Sequence, residues 1–445
     1  MSMKARCFRW LPGRWLVVSA STLLLGGLAA PSFSQTRSWP DTTDRILVFN
    51  DQLAVNFMSE AQVQFAATHY VGCQKILRNH ARRLRQYNAD FLVLHYRLGQ
   101  GLGHSTPGDS CQTTNDSLFI IQGNDWLKEW PGDSVVREDW FIHYGGQPVF
   151  NCSWGYYLMD LDSAGWRSWW SGQVIQQLQT NENDGLFADS FSVPNYLGAC
   201  DWKPCLPEVD AGFEAAWAAK ERAFTDAIKG QFAGRWKWIP NVGALITSRD
   251  PSDYSNTDGV MVEGFAEGGG GGYYDPADWE MQMNRVLALV RLDRILIGQT
   301  YPDPANVNER LFCLGSYLLV KGAHTYINLD VGEEPEWFPE YGLELGAPTD
   351  ALPADISDSF DPKLRVYVRR FAQGLVMVNP SDSARTVSLE KTYRLAVPSG
   401  GGVVPEDGTA PGSLSYRSIA AVTVPAYGAV ILLSAKTTKV SVSPR

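Results

Sequence analysis

Short apolar runs alternate with amphipathic stretches between about residues 69 and 330. Most runs are continuously apolar, which is typical of strands buried on both faces. Segments 164–180 and 277–293 carry apolar residues at helical spacing. Eight strand–helix units of this kind predict an α/β fold, the TIM (β/α)8 barrel. The eight predicted strands are His69–Cys73, Phe91–Tyr96, Tyr156–Leu161, Gly185–Asp189, Trp236–Asn241, Val260–Glu263, Arg294–Gln299 and Thr325–Asn328. The extra run Ile46–Phe49 is either a lead-in or the true first strand.

The pattern changes after about residue 361, where short β-rich runs are separated by Gly, Pro, Ser and Asn. Helical spacing is absent there, so we expect a small antiparallel β-sandwich behind the barrel. The predicted organisation is a signal peptide (1–34), a barrel catalytic domain (35–345), a linker (346–360), a C-terminal β-sandwich (361–435) and a loose tail (436–445).

The first 34 residues have the layout of a secretory signal. Basic residues precede an apolar run over residues 16–30, and small residues stand before Gln35. This predicts a secreted or periplasmic protein, with an uncleaved N-terminal anchor as the alternative. No later run approaches the length of a membrane span, so we expect none after the leader is removed.

Six cysteines follow the leader, and an even number in an exported chain predicts up to three disulfides. Cys200 and Cys205 are close enough in sequence to clip one loop, whereas the other pairings stay open. No C-x-x-C or H-E-x-x-H pattern occurs, so no metal site and no cofactor are predicted.

The composition narrows the range of partners. A formal net charge of −10 over 445 residues argues against nucleic acid, which prefers a basic surface. Aromatic residues make up 12% of the chain and suit stacking on sugars, although such residues also fill cores. A carbohydrate is therefore the expected partner, and the oligomeric state is left open.

Two predicted strands end in a carboxylate, Asp189 on the fourth and Glu263 on the sixth. The carboxyl ends of barrel strands face the active site, so the two acids are expected to face each other across the mouth. Two opposed carboxylates, one ionised and one protonated, are what glycoside hydrolysis requires. Glu267 is an alternative proton donor.

Further polar and aromatic residues follow the predicted strands and are candidate sugar ligands. They are His95, Arg97, Asp160, Asn241, Gln299, Tyr301 and Trp154. Two of them have structural alternatives, since Asp160 can cap the helix starting near Ser163 and His95 can be a core histidine. The run Gly268–Gly272 is either a connector or a mobile flap.

Other activities fit the sequence less well. The nucleophile-elbow pattern G-x-S-x-G and the P-loop pattern are absent, and the run Gly99–His104 fails the dinucleotide pattern at its last position. Two rivals remain. One is a non-catalytic carbohydrate-binding or scaffold protein with a degenerate barrel. The other is a polysaccharide lyase that would use His95 and Tyr96.

Five segments resemble the uncharacterised group called hypothetical glycosyl hydrolase 15: residues 67–75, 94–99, 185–190, 261–264 and 298–301. The positions of the strand-4 and strand-6 acids are also similar to those of retaining α-galactosidases, α-glucosidases and polygalactosaminidase-type barrels. The resemblance implies a sugar hydrolase with Asp189 as nucleophile and Glu263 as acid/base. The chain departs from α-galactosidases in having Glu263 where they have Asp.

Overall fold

The barrel is built from eight parallel strands in one sheet. The structure is a computed structural model that describes residues 37–103, 137–151, 153–196, 198–329 and 332–435. The strands are β1 (Val48–Asn50), β2 (Tyr70–Gln74), β3 (Leu92–Leu98), β4 (Gly185–Asp189), β5 (Lys237–Pro240), β6 (Gly259–Glu263), β7 (Ile295–Gln299) and β8 (Thr325–Asn328). They pair in the order 5-4-3-2-1-8-7-6, and a parallel bridge between Asn241 and Met261 joins β5 to β6. The predicted TIM barrel is confirmed.

One predicted strand is wrong. Tyr156–Leu161 does not enter the barrel, and its place is taken by the run at Ile46–Phe49, which supplies β1. Tyr156–Leu158 instead pairs antiparallel with Gly101–Gly103 in a small side sheet. In this sheet the side chains alternate between core and surface, since Tyr156 and Leu158 are buried and Tyr157 is partly exposed. A barrel strand is instead buried on both faces. Apolar content alone does not separate such a strand from a barrel strand.

The side sheet has four short antiparallel strands, three from the insertion between β3 and β4 and one from the segment that follows β4. Its strands are Gly101–Gly103, Phe150–Asn151, Tyr156–Leu158 and Trp202–Lys203. The second and third of these form a hairpin whose turn carries Trp154. This insertion therefore forms a wall beside the C-terminal end of the barrel.

In the part of the chain that the structure describes, six α-helices surround the barrel. They are α1 (Glu60–His69), α2 (Arg78–Arg85), α3 (Ala164–Asn181), α4 (Ala211–Phe232), α5 (Pro276–Val290) and α6 (Val307–Val320). Five of them begin at a side chain that accepts a hydrogen bond from the first turn, namely Ser59, Ser163, Asp210, Asp275 and Asn306. The connection from β5 to β6 contains no helix, so the predicted strand–helix alternation is incomplete there. No helix in the described ranges is both long and apolar enough to cross a bilayer.

The C-terminal part is a six-stranded antiparallel sheet. Its strands are β9 (Phe360–Asp361), β10 (Val366–Phe371), β11 (Gly374–Asn379), β12 (Arg385–Ser399), β13 (Ser413–Val424) and β14 (Gly428–Ser434). β12 is a single strand of 15 residues. The register of β12 against β13 shifts between Ser388 and Tyr393. On the N-terminal side of this shift, Val387 of β12 and its partner Val422 of β13 join the apolar core on one face of the sheet.

The other face of this sheet packs on α6. A side chain at Gly315 of α6 would clash, because a Cβ there would lie 2.4 Å from the Cβ of Ala429.

Cys200 and Cys205 form the predicted disulfide, which is thereby confirmed. Cys73 and Cys313 are separate buried thiols, so the upper limit of three disulfides is not reached. The signal peptide, Cys111, Cys152 and the predicted tail lie outside the described residues.

A buried ion pair connects α6 to the chain that follows β8. Arg310 Nε donates to Glu340 Oε1 at 2.6 Å, and both side chains are at most 1% exposed. Replacing Glu340 with glutamine leaves the guanidinium without a counter-charge, so we expect a loss of about 3–5 kcal/mol in the free energy of unfolding. Urea unfolding measures it. The exposed pair Arg222–Asp253 supplies the control, since Asp253→Asn should cost less than about 1 kcal/mol. Equal losses in the two variants would contradict the prediction.

Candidate active site

The C-terminal ends of the strands surround a cavity of about 1250 Å³. Its floor receives one polar residue from each of β1 to β7 or from the position just after the strand. These residues are Asp51, Lys75, Tyr96, Asp189, Asn241, Glu263 and Gln299. The continuous apolar part of each strand is buried in the barrel, so the chain becomes polar only where it reaches solvent.

Asp189 ends β4 and is partly buried at the cavity floor. Its Oδ2 accepts a hydrogen bond from the Tyr96 hydroxyl at 2.6 Å, and its Oδ1 accepts from Asn241 Nδ2 at 2.9 Å. The backbone N–H of Ser190 donates to the same Oδ1 at 2.8 Å. Ser190 has φ of +54°, a left-handed conformation that turns the chain away directly after the carboxylate. These contacts hold the carboxylate in one orientation.

Glu263 ends β6 and is exposed to the same cavity. Its Oε1 accepts from the Tyr301 hydroxyl and its Oε2 from Asn241 Nδ2. Burial among protein groups and the charge of Asp189 raise the pKa of Glu263, against the opposing effect of its hydrogen bonds to Tyr301 and Asn241. The raised pKa favours the protonated form of Glu263.

Asn241 lies between the two acids and donates to both through the same nitrogen, Nδ2. Because each hydrogen bond spans about 3 Å, the nearest carboxylate oxygens are within about 6 Å of each other. Asn241 itself is 5% exposed and follows β5, the strand between β4 and β6 in chain order. Asp189 and Glu263 are therefore held in one cleft by a shared partner.

Asp51 and Lys75 are site residues that sequence reasoning missed. Lys75 Nζ lies 2.8 Å from Asp51 Oδ2 and 5.5 Å from the centre of the Tyr96 ring. Burial lowers the pKa of Lys75, but the charges of Asp51, Asp189 and Glu263 outweigh it and raise the pKa overall. The available signal was their position: each directly follows a barrel strand, and taking Ile46–Phe49 as the first strand would have pointed to Asp51.

Three of the predicted sugar ligands are not brought to the cavity. His95 Nε2 and Arg97 Nη1 both contact Gln177 Oε1 of α3, at 2.8 and 2.9 Å, so they point away from the mouth. Burial lowers the pKa of His95 to about 4, and the charge of Arg97 acts in the same direction. Asp160 forms a 2.7 Å ion pair with Lys220, beside the start of α3. His95 is therefore a core histidine, whereas Asp160 does not cap α3, because the cap of that helix is Ser163.

The other predicted ligands do line the cavity: Asn241, Gln299, Tyr301 and Trp154. Gln299 is 1% exposed, and its Oε1 accepts from Asn328 Nδ2 of β8 at 3.1 Å. Tyr301 contacts Glu263 as described, and Trp154 stands at the rim with 62% of its surface exposed. Within the described residues, no cluster of three or more His, Cys, Asp or Glu side chains is arranged to hold a metal ion.

Glu267, the alternative proton donor, does not line the cavity. It is fully buried, and neither carboxyl oxygen has a hydrogen-bond partner. The glycine run beyond it forms a closed turn, in which Gly268 N–H donates to Gly272 O at 2.9 Å. Gly269 packs so closely on Tyr301 that a Cβ would lie 3.3 Å from the Cβ of that tyrosine. The turn thus contacts the residue that holds Glu263.

Burial and the nearby charge of Glu309 raise the pKa of Glu267 from 4.5 to about 7. The folded protein therefore keeps a proton that the unfolded chain loses, so stability falls as pH rises from about 4.5 to 7 and stays lower above that. A shift of this size corresponds to about 3 kcal/mol. We expect Glu267→Gln to remove this loss, so that the variant is more stable than wild type at pH 8 and similar at pH 4. Urea unfolding across this pH range measures the difference, and parallel curves for the two proteins would contradict it.

The fold and the site define a TIM-barrel protein with an acidic cleft at the C-terminal ends of its strands. The model of the family described as hypothetical glycosyl hydrolase family 15 matches residues 85–375, more than half of the chain. The chain belongs to this family, which confirms the resemblance seen in the sequence.

Solved structures give weaker likenesses, and no curated protein matches the chain. A noncanonic maltogenic alpha-amylase from Thermotoga neapolitana is similar at 10% identity and a TM-score of 0.38, over 87% of this chain and 98% of its own. A GH36 alpha-galactosidase from Geobacillus stearothermophilus is similar at 10% identity and a TM-score of 0.39, over 88% and 56%. A pullulanase from Bacillus acidopullulyticus is similar at 9% identity and a TM-score of 0.38, over 91% and 62%. This chain thus spans just over half the length of the galactosidase.

Proposed function

We propose that the protein is an exported glycoside hydrolase that cleaves a poly- or oligosaccharide with retention of configuration. The observation that carries this proposal is the single amide nitrogen of Asn241, which donates to both Asp189 and Glu263. The upper limit of about 6 Å between their nearest oxygens is compatible with the spacing of about 5–5.5 Å in retaining enzymes and is below the roughly 6.5–9.5 Å in inverting ones.

The two acids have different roles in the proposed mechanism. Ionised Asp189 attacks the anomeric carbon and forms an ester bond as the bond to the leaving oxygen breaks. Protonated Glu263, whose pKa is raised, gives its proton to that oxygen. Glu263 then takes a proton from water, whose oxygen attacks the anomeric carbon and frees Asp189. Lys75 and the Tyr96 hydroxyl stabilise the charge on the floor of the site.

The rival, a carbohydrate-binding protein with a degenerate barrel, is less well supported. Such a protein would be expected to hold the carboxylates apart or to neutralise each in an ion pair. In the described residues, neither Asp189 nor Glu263 has a basic group within 4.0 Å, and both line one cavity. Export is supported by the disulfide Cys200–Cys205, since such bonds persist in oxidising compartments.

The proposal is tested by incubating the purified chain from Gln35 onward with a panel of α- and β-linked polysaccharides. Reducing ends should be released from at least one of them, and NMR of the first product should show the anomer of the substrate. Release of the opposite anomer would exclude retention. Absence of cleavage across the panel, together with tight binding of a polysaccharide, would favour the rival.

A further inference from the structure

The two most exposed aromatic side chains in the described ranges both line the active-site cavity. Phe57 is 91% exposed and Trp154 is 62% exposed, whereas the next aromatic residue, Tyr144, is 41% exposed and lies outside the cavity lining. A single exposed apolar side chain is ordinary on a protein surface. Because the two most exposed rings line the same cavity, they point to a ligand that covers them.

Phe57 is held rigidly. It ends the single 3-10 turn Val55–Phe57, and its N–H donates to Ala54 O at 2.8 Å. Arg83 of α2 donates to the carbonyls of Val55 and Met58 at 2.7 and 3.2 Å, on either side of the phenylalanine. The ring is therefore presented to solvent by a fixed backbone, so little conformational freedom is lost when a ligand covers it.

Trp154 is held in a comparable way by the hairpin of the side sheet. Asn151 Oδ1 accepts from the Trp154 N–H at 2.9 Å, and Asn151 O accepts from the Gly155 N–H at 2.9 Å. Gly155 has φ of +69°, which a side chain would make unfavourable and which closes the turn. Both exposed rings thus belong to tight turns rather than to loose loops.

The two rings belong to different walls of the cavity. Phe57 follows β1, and Trp154 lies in the insertion between β3 and β4, while the carboxylates end β4 and β6. The cavity volume of about 1250 Å³ exceeds the roughly 300–1000 Å³ typical of small-molecule sites. A cavity of this volume has room for more than one sugar unit.

The charges of the cavity select among sugars. Among the described residues, five carboxylates line it, and Lys75 is the single ammonium or guanidinium group in that lining. The carboxylates are Asp51, Asp189, Asp201, Glu263 and Glu333. An acidic sugar chain would meet this negative field, whereas neutral or amino sugars would not be repelled.

We propose that Phe57 and Trp154 are two stacking platforms for sugar units away from the cleavage point, and that the ligand is a polymer of neutral or amino sugars. This rests on the proposed function, because it takes the cleavage point to be at Asp189 and Glu263. The apolar faces of sugar rings cover the aromatic rings and exclude water from them. A polymer that reaches both platforms binds more tightly than a disaccharide placed at the carboxylates.

The test uses the Asp189→Asn variant, so that binding is measured without cleavage. Calorimetry compares neutral glucans, xylan, soluble chitosan and polygalacturonate, and then the disaccharide and hexasaccharide of the polymer that binds. The expected result is binding of a neutral or amino-sugar polymer, with the hexasaccharide at least tenfold tighter than the disaccharide. Adding Phe57→Ala or Trp154→Ala should weaken hexasaccharide binding about tenfold and disaccharide binding less than twofold. Tyr144→Ala, an exposed aromatic outside the cavity, is the matched control.

Three results would overturn the inference: binding of none of the polymers, equal affinity for the two oligosaccharides, or equal effects of the platform and control variants. Preferred binding of polygalacturonate would overturn the inference that the ligand is a polymer of neutral or amino sugars. Failure of the proposed function has a different signature, namely platform-dependent polymer binding by a wild-type protein that cleaves nothing. Thermal unfolding of each variant separates loss of a platform from loss of the fold.

Discussion

Asparagine in place of Asp189 is expected to reduce turnover by about 10⁴-fold or more on any polysaccharide that the wild-type protein cleaves. The amide has nearly the shape of the carboxylate but cannot form the ester with the anomeric carbon. The fold should survive, because Asp189 is at the mouth and the apolar part of β4 is unchanged. Initial rates give the loss of activity, and thermal unfolding gives the stability.

The covalent step also has a direct readout. A sugar fluoride with fluorine at the 2-position, made from the sugar identified in the panel, slows release of the ester. Mass spectrometry of a digest should then find the sugar on the peptide that contains Asp189. Labelling of another residue, or normal turnover by Asp189→Asn, would remove Asp189 from the role of nucleophile.

Glutamine in place of Glu263 is expected to slow cleavage of natural substrates by about 10²–10⁴-fold, the usual contribution of a general acid. The effect should depend on the leaving group. Dinitrophenolate leaves without needing a proton, so formation of the ester from a dinitrophenyl glycoside should be nearly unaffected. Because the pKa of Glu263 is raised and its protonated form is required, wild-type activity should fall as the pH rises past that pKa. The variant should lack this alkaline decline.

The matched control for this prediction is Glu267→Gln. Glu267 does not line the cavity, so its replacement should leave the rate on both kinds of substrate largely unchanged. Equal losses on natural and dinitrophenyl substrates in Glu263→Gln would assign Glu263 another role. A leaving-group-dependent loss in Glu267→Gln would make that residue the proton donor.

The barrel was predictable from sequence because its strands are continuous apolar runs that end in polar residues. Gly185–Asp189 and Thr325–Asn328 have the same bounds in the prediction and in the structure. The choice between Ile46–Phe49 and Tyr156–Leu161 was not predictable, since both are short apolar runs and only long-range pairing separates them. Because the first strand was left open, Asp51, which follows it, was not recognised as a candidate site residue.

The predicted site residues that lie together in the structure stand at the end of a strand or directly after it. Asp189, Asn241 and Glu263 do so, and they share hydrogen bonds in the structure. His95 and Arg97 lie within β3 rather than beyond its end, and their alternation carries both to the helix side. Exposure of Phe57 at the cavity depends on a turn fixed by Arg83, a contact that no local pattern encodes.

The packing of α6 has a consequence for how this protein can be divided. One side of this helix completes the barrel, and the other is covered by the C-terminal sheet, with no room for a Cβ at Gly315. Arg310 of the same helix also donates to Gly400 O at 2.9 Å. Ending the chain at residue 345 would expose the apolar side of α6 and remove the Gly400 carbonyl from Arg310, although the ion pair with Glu340 would remain. The C-terminal sheet is therefore an integral part of the packing around α6. Truncation or domain exchange at this boundary would yield a barrel that aggregates.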